Sequence, residues 1–261
     1  MRIGCCVPAA YYAQAVKDGL DYVELPAWEI ASMPEASLRE LSGRIAASGV
    51  PCARLNAYCT GTPAIVGPAF EPEAVRSYAE RLFPRAAALG VHCVGVGAPP
   101  ARLLPEGYDV ALADHQCREF LRITAEVAFA YGIDVLLEAL QSGVCNYINH
   151  TEQALEMVQA LAMENVALVV DLYHMATQGE SWTTLRRYIP RTRHMHVSTV
   201  GPGLRRGLYR PGDEAICARA FTAIAESGYT GTVSMEPDPQ ELTPGSVQTA
   251  LEMIRRTCIR A

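Results

Sequence analysis

The sequence predicts a single (β/α)8 barrel, and three observations carry that prediction. The first is a recurring joint, in which an alanine-rich amphipathic stretch ends in glycine, one apolar residue follows, and a short strand-like run begins. It reads Asp18-Gly19-Leu20, Ser48-Gly49-Val50, Leu89-Gly90-Val91, Tyr131-Gly132-Ile133 and Ser227-Gly228-Tyr229. Glycine just past a helix takes the left-handed conformation that closes the last turn, and the apolar residue after it packs back on the helix. The second is strict alternation of strand and helix patterns, which joins parallel strands through right-handed crossovers. The third is length: 261 residues hold eight such units in one domain, 1–261. An open doubly wound sheet also alternates, but no strand here runs into G-x-G-x-x-G or a P-loop.

Taken in order, strands are expected at 2–7, 21–25, 51–56, 92–97, 133–138, 166–171, 193–198 and 231–236. Each is a short apolar run rich in β-branched residues, the pattern of a strand covered on both faces. A helix pattern follows every one. The helix after the fifth strand is expected to open at Thr151, a capping residue with Glu152 in the first turn. The next is expected near Ser181, and the one after the seventh strand near Asp213-Glu214. Long connections fall only after strands, at 58–70, 98–109, 141–150 and 200–212, whereas the opposite rim is joined by a few residues. Function is therefore expected where the strands end.

Composition narrows the class of activity. With 50% hydrophobic and 19% charged residues the chain is globular. A net charge of −6 argues against nucleic acid, because a phosphate-reading surface needs clustered Lys and Arg. No apolar run approaches the roughly 20 residues a membrane helix needs. Met1 leads directly into a strand-like run, so a secretory signal is not expected and a cytoplasmic location is. The nine cysteines are scattered without a C-x-x-C pair, which predicts reduced, structural thiols.

The chemistry concentrates at four strand ends. Ala167-Leu168-Val169-Val170 runs into Asp171; Val135-Leu136-Leu137 runs into Glu138; Val233-Ser234-Met235 runs into Glu236; and His196 closes His194-Met195-His196. Three carboxylates and an imidazole brought to one rim repel one another unless a divalent cation neutralises them. Oxygen ligands with one neutral nitrogen suit Mn2+, Mg2+ or Co2+, with Mn2+ preferred here. Taken singly, each residue is also consistent with a cap, a rim ion pair or a core histidine. His174, where the chain turns away from Asp171, suits contact with a bound hydroxyl. His194 lies one layer below His196 on the same strand face. Tyr173 and Trp182 are candidates for an apolar wall or for plain core packing.

From Glu138 through Asn146-Tyr147-Ile148-Asn149, Asp171-Leu172-Tyr173-His174-Met175, His194-Met195-His196-Val197-Ser198, Pro211-Gly212 and Gly228-Tyr229-Thr230-Gly231 to Glu236, the sequence resembles the xylose isomerase-like TIM-barrel superfamily. The resembling branch holds sugar isomerases and epimerases, with ketose 3-epimerases, hydroxypyruvate isomerases and inosose dehydratases among them. The likeness is specific over 133–237, and the first half agrees in pattern alone. It implies one divalent metal on Glu138, Asp171, His196 and Glu236, acid–base roles for Glu138 and Glu236, substrate contact by His174, and a homo-oligomer. Such chemistry is physically reasonable: a proton beside a carbonyl becomes removable when a metal stabilises the enediolate, and two flanking carboxylates can take and return it.

Two departures bear on the substrate. Val144 stands where ketohexose 3-epimerases carry a second glutamate, and Val200-Gly201-Pro202-Gly203 stands where they carry an arginine; the nearest candidates to reach the site are Arg205, Arg206 and Arg210, with Arg205 or Arg206 favoured. Those arginines could also hold a phosphate or carboxylate. The expected function is a metal-dependent isomerase or epimerase of a small sugar or polyol-derived carbonyl compound. The alternatives are a dehydratase of the inosose or dehydroshikimate type on the same site, and a non-catalytic sugar-binding barrel. An endonuclease IV-like nuclease fits poorly with six histidines and an acidic balance.

Overall fold

A computed structural model describes residues 1–258 and shows ten strands among them. They are β1 (Arg2–Cys6), β2 (Tyr22–Pro26), β3 (Cys52–Asn56), β4 (Cys93–Val96), β5 (Asp134–Glu138), β6 (Val166–Asp171), β7 (Thr192–Val197), β8 (Thr199–Val200), β9 (Arg206–Gly207) and β10 (Thr232–Met235). Eight of them close a parallel barrel in the order β1-β10-β7-β6-β5-β4-β3-β2, while β8 and β9 form a separate antiparallel hairpin. Each strand expected from the sequence is present, and the expected connection at 200–212 contains the hairpin.

The helices are α1 (Tyr12–Lys17), α2 (Ala27–Ser32), α3 (Glu35–Ser48), α4 (Pro72–Ala88), α5 (Val110–Phe129), α6 (Thr151–Leu161), α7 (Leu172–Thr177), α8 (Leu185–Tyr188), α9 (Glu214–Glu226) and α10 (Ser246–Cys258). The five joint glycines all have positive φ, from 66° at Gly132 to 81° at Gly228, which a side chain would resist. α5 shows the sequence logic most fully. Asp109 caps it by accepting from the amides of Ala111 and Leu112, and Ala113, Cys117, Phe120, Leu121 and Thr124 recur at helical spacing on the buried face.

Two helix starts differ from expectation. His150, not Thr151, occupies the cap of α6, and Gln153 reaches back to it with its side chain, so Thr151 is the first helical residue. The helix expected near Ser181 begins nine residues earlier in sequence, as α7, because the Asp171 carboxylate itself accepts from Tyr173 N at 2.7 Å. Ser181 caps the 3-10 turn Trp182–Thr184, which runs directly into α8, so a helical segment does open there, after α7.

Period-2 geometry sends alternate strand residues into the barrel. A small apolar layer of Cys93, Leu136, Ala167 and Val169 fills part of the interior. The same parity brings Tyr22, Glu24, His194 and Ser234 inward as a polar layer. Tyr22 Oη meets Ser234 Oγ at 2.9 Å, and Gly4 leaves the room that the Tyr22 ring occupies. The eight cysteines whose side chains are described are all buried, as structural thiols should be.

Candidate metal and substrate site

Glu138 ends β5, Asp171 ends β6, His196 lies in β7, and Glu236 follows β10 by one residue. Register places Asp171 beside His196, and His196 beside Ser234 two residues before Glu236. The four side chains each offer a donor atom within 4.8 Å of the others, and all but the half-buried Glu236 are buried. His196 Nδ1 stands 3.0 Å from Glu236 Oε2 and 3.4 Å from Glu138 Oε1. The strand ends singled out in the sequence are therefore brought together.

Residues that sequence reasoning missed hold this group in place. Glu24, in the middle of β2 and 1% exposed, faces His196 Nε2 through both oxygens at 3.2 and 3.3 Å and His194 Nε2 at 2.8 Å. With Nε2 engaged, the imidazole of His196 presents Nδ1 to the other carboxylates, the arrangement in which a carboxylate orients a metal-binding histidine. His194 forms the layer below, its Nδ1 2.9 Å from the Thr232 carbonyl. Asn56 at the end of β3 donates to Glu236 Oε1 at 3.1 Å. Gly97 leaves space for Glu138: a Cβ there would stand 2.5 Å from Oε2. Beneath, the fully buried Arg102 donates to the Glu138 carbonyl at 2.8 Å. The legible signal for Glu24 was an acid inside the apolar run Tyr22-Val23-Glu24-Leu25. Gly97 and Asn56 carried none.

Of the two favoured arginines, Arg206 enters the site and Arg205 is exposed. β9 carries Arg206 with its amide bonded to Asp238 Oδ2 at 3.1 Å and its guanidinium 4.8 Å over the Tyr173 ring. Its Nη2 touches Asp171 Oδ2 and lies 2.5 Å from Glu236 Oε2. His174 also belongs here, Nδ1 accepting from Gln141 N at 3.0 Å and Nε2 3.5 Å from Arg206 Nη1. A backbone donor on Nδ1 leaves the proton of a neutral ring on Nε2, pointed at the site.

Charge balance follows from these contacts. Burial opposes ionisation of Glu236, yet Arg206 and His196 hold its carboxyl well below the usual range. Burial likewise opposes ionisation of Glu24, which the His196 and His194 imidazoles outweigh. For His196 burial disfavours the cation, but Glu236 and Glu24 hold it well above an ordinary histidine. Burial pushes His194 down to about 4 and lowers His174. The set is thus anionic ligands compensated by cations, as a divalent ion would compensate them.

The group opens on a cavity of about 540 Å³ lined by Glu138, His174, Arg206, Glu236, Asp238 and Tyr173 on one side. That volume suits a small molecule. Tyr173 is part of this wall. Trp182 is not: it lies in a separate groove outside the barrel, its indole donating to the Leu172 carbonyl at 3.1 Å.

A closed eight-stranded parallel barrel with acids and an imidazole at its mouth defines a class of barrel, and comparison specifies it. Residues 12–257 match the family model described as the xylose isomerase-like TIM barrel, and the chain belongs to that family. An inosose isomerase of Halalkalibacterium halodurans is 28% identical over 150 residues, 55% of this chain and 53% of that protein. The chain thus spans about half the length of the curated relatives it matches. D-psicose 3-epimerase from Clostridium cellulolyticum H10, solved with D-tagatose, superimposes with a TM-score of 0.77 at 21% identity, covering 98% of this chain and 99% of that one. The IolI protein, solved with a zinc atom, gives 0.72 at 19% identity, covering 100% and 97%. At these identities the solved structures share the fold. Among the described residues no helix is long and apolar enough to cross a membrane.

Proposed function

We propose that this protein is a divalent-metal-dependent isomerase or epimerase of a small sugar or polyol-derived ketone. The observation that carries the reading is the convergence of Glu138, Asp171, His196 and Glu236 at the mouth of a cavity of substrate size. The donor set fits a hard or borderline cation: three carboxylates and an imidazole whose far nitrogen is already engaged by Glu24. Mn2+, Mg2+ and Co2+ suit it, Mn2+ first. A cation held there supplies Lewis-acid polarisation of a substrate carbonyl.

The side chains of the chain perform the rest. Glu138 and Glu236 divide the proton transfer: one, as the carboxylate, removes the proton next to the carbonyl, and the other, in its protonated form, returns one. His174, neutral and carrying its proton on Nε2, donates to a substrate oxygen. Arg206 offsets negative charge as it develops on that oxygen. The inosose isomerase among the relatives supports the reaction type. The test is deuterium uptake from heavy water into carbon-bound positions of an inosose and a ketohexose panel, with each of the three metals. Uptake next to a carbonyl is expected; no uptake in any substrate with any metal contradicts the reading. An ultraviolet-absorbing conjugated product would instead identify a dehydratase.

A further inference from the structure

The cavity has two unlike sides. The side built by β5 to β10 carries its charged groups: Glu138, Glu236 and Asp238 against the single cation Arg206. Arg206 stands among them, its guanidinium beside Asp171 and Glu236. The other side comes from the segments after β2, β3 and β4; Trp28, Ala57, Ala98, Pro99 and Pro100 line it with Gly97 and the Cys59 thiol, and the Thr60 hydroxyl is the one side-chain oxygen among them. At the rim, Val144 and Leu204 are 42% and 48% exposed and equally apolar.

Resting on the isomerase reading, we infer that the substrate is an uncharged ketose whose end remote from the reacting carbons is deoxygenated, such as a 6-deoxyketohexose. The reacting end must sit among the carboxylates, His174 and Arg206, so the remote end meets the opposite wall. A hydroxymethyl group there gives up its bonds to water and finds little but Thr60 in exchange, a loss typical of an unpaired buried hydroxyl. A methyl group loses nothing and gains apolar contact with Trp28 and the two prolines. A phosphate is disfavoured because that wall holds no cation to meet it and too few polar side chains to replace the water it would give up. The anion-binding role open to Arg205 and Arg206 in the sequence is therefore not the one assigned here: Arg205 is exposed, and Arg206 stands with the reacting groups rather than on the apolar wall.

The test uses the full chain with Mn2+ and three forms of one skeleton, the 6-deoxyketose, the parent ketose and the 6-phosphate, in both the D-fructo and D-tagato series. Calorimetric affinity and deuterium uptake are read on the same samples. The deoxy sugar is expected to bind about tenfold more tightly than its parent, the effect of one unpaired hydroxyl, and the phosphate more weakly than both. Val144→Arg, a rim substitution, is expected to raise phosphate affinity about tenfold. Equal affinities, a preference for the phosphate, or no gain in Val144→Arg overturn the inference. Uptake of deuterium with that wrong order leaves the isomerase reading standing; the expected order without uptake overturns the isomerase reading alone.

Discussion

The strands from β5 onward and the strands β1 to β4 follow one folding rule but meet the cavity with different chemistry. Both halves alternate strand and helix, close their helices with left-handed glycines, and pack apolar helix faces outside the barrel. The late half ends its strands in Glu138, Asp171, His196 and Glu236, which share one cluster. The early half contributes no member of that cluster. It supplies Glu24 behind His196, Asn56 beside Glu236, the gap at Gly97 that admits Glu138, and an apolar wall. Reaction chemistry thus sits on one side, and support and shape on the other.

Substitutions can break or sharpen that division. Glu138→Gln and Glu236→Gln should each lower kcat by about a thousandfold or more while circular dichroism and melting stay near wild type, the scale of losing a general acid or base. Arg206→Ala should cost about a hundredfold in kcat/KM, measured by deuterium uptake, because charge developing on oxygen loses its partner. In the early half, Glu24→Gln should weaken Mn2+ binding by about 10- to 100-fold by calorimetry, since His196 loses the carboxylate that orients it. Gly97→Ala should lower kcat about tenfold with Mn2+ still bound, by displacing the Glu138 carboxylate. Arg205→Ala, the smallest change, should stay within about twofold, as expected of an exposed side chain. An early-half substitution as damaging as Glu138→Gln would erase the distinction.

Legibility in the sequence followed the same divide. The barrel was readable because glycine joints and β-branched runs are local signals, and all eight barrel strands lie where those signals put them. The strand-end acids were readable because a carboxylate closing a buried run is anomalous by itself. Glu24 shows the limit: its importance comes from register, which sets β2 inward and His196 across the barrel, and no local pattern encodes that meeting. Arg206 could not be separated from Arg205 because the choice depends on the β8–β9 hairpin and the Asp238 bond to the Arg206 amide. The α6 and α7 starts were misplaced because a capping residue was sought beside each helix pattern, whereas His150 with Gln153, and Asp171 itself, satisfied the exposed amides.

The most direct measurement is anomalous diffraction from crystals grown with excess Mn2+. A single strong peak is expected about 2 Å from carboxylate oxygens of Glu138, Asp171 and Glu236 and from His196 Nδ1, with Glu24 still on Nε2. A peak elsewhere, or none while Arg206 keeps its hold on Asp171 and Glu236, would contradict the account.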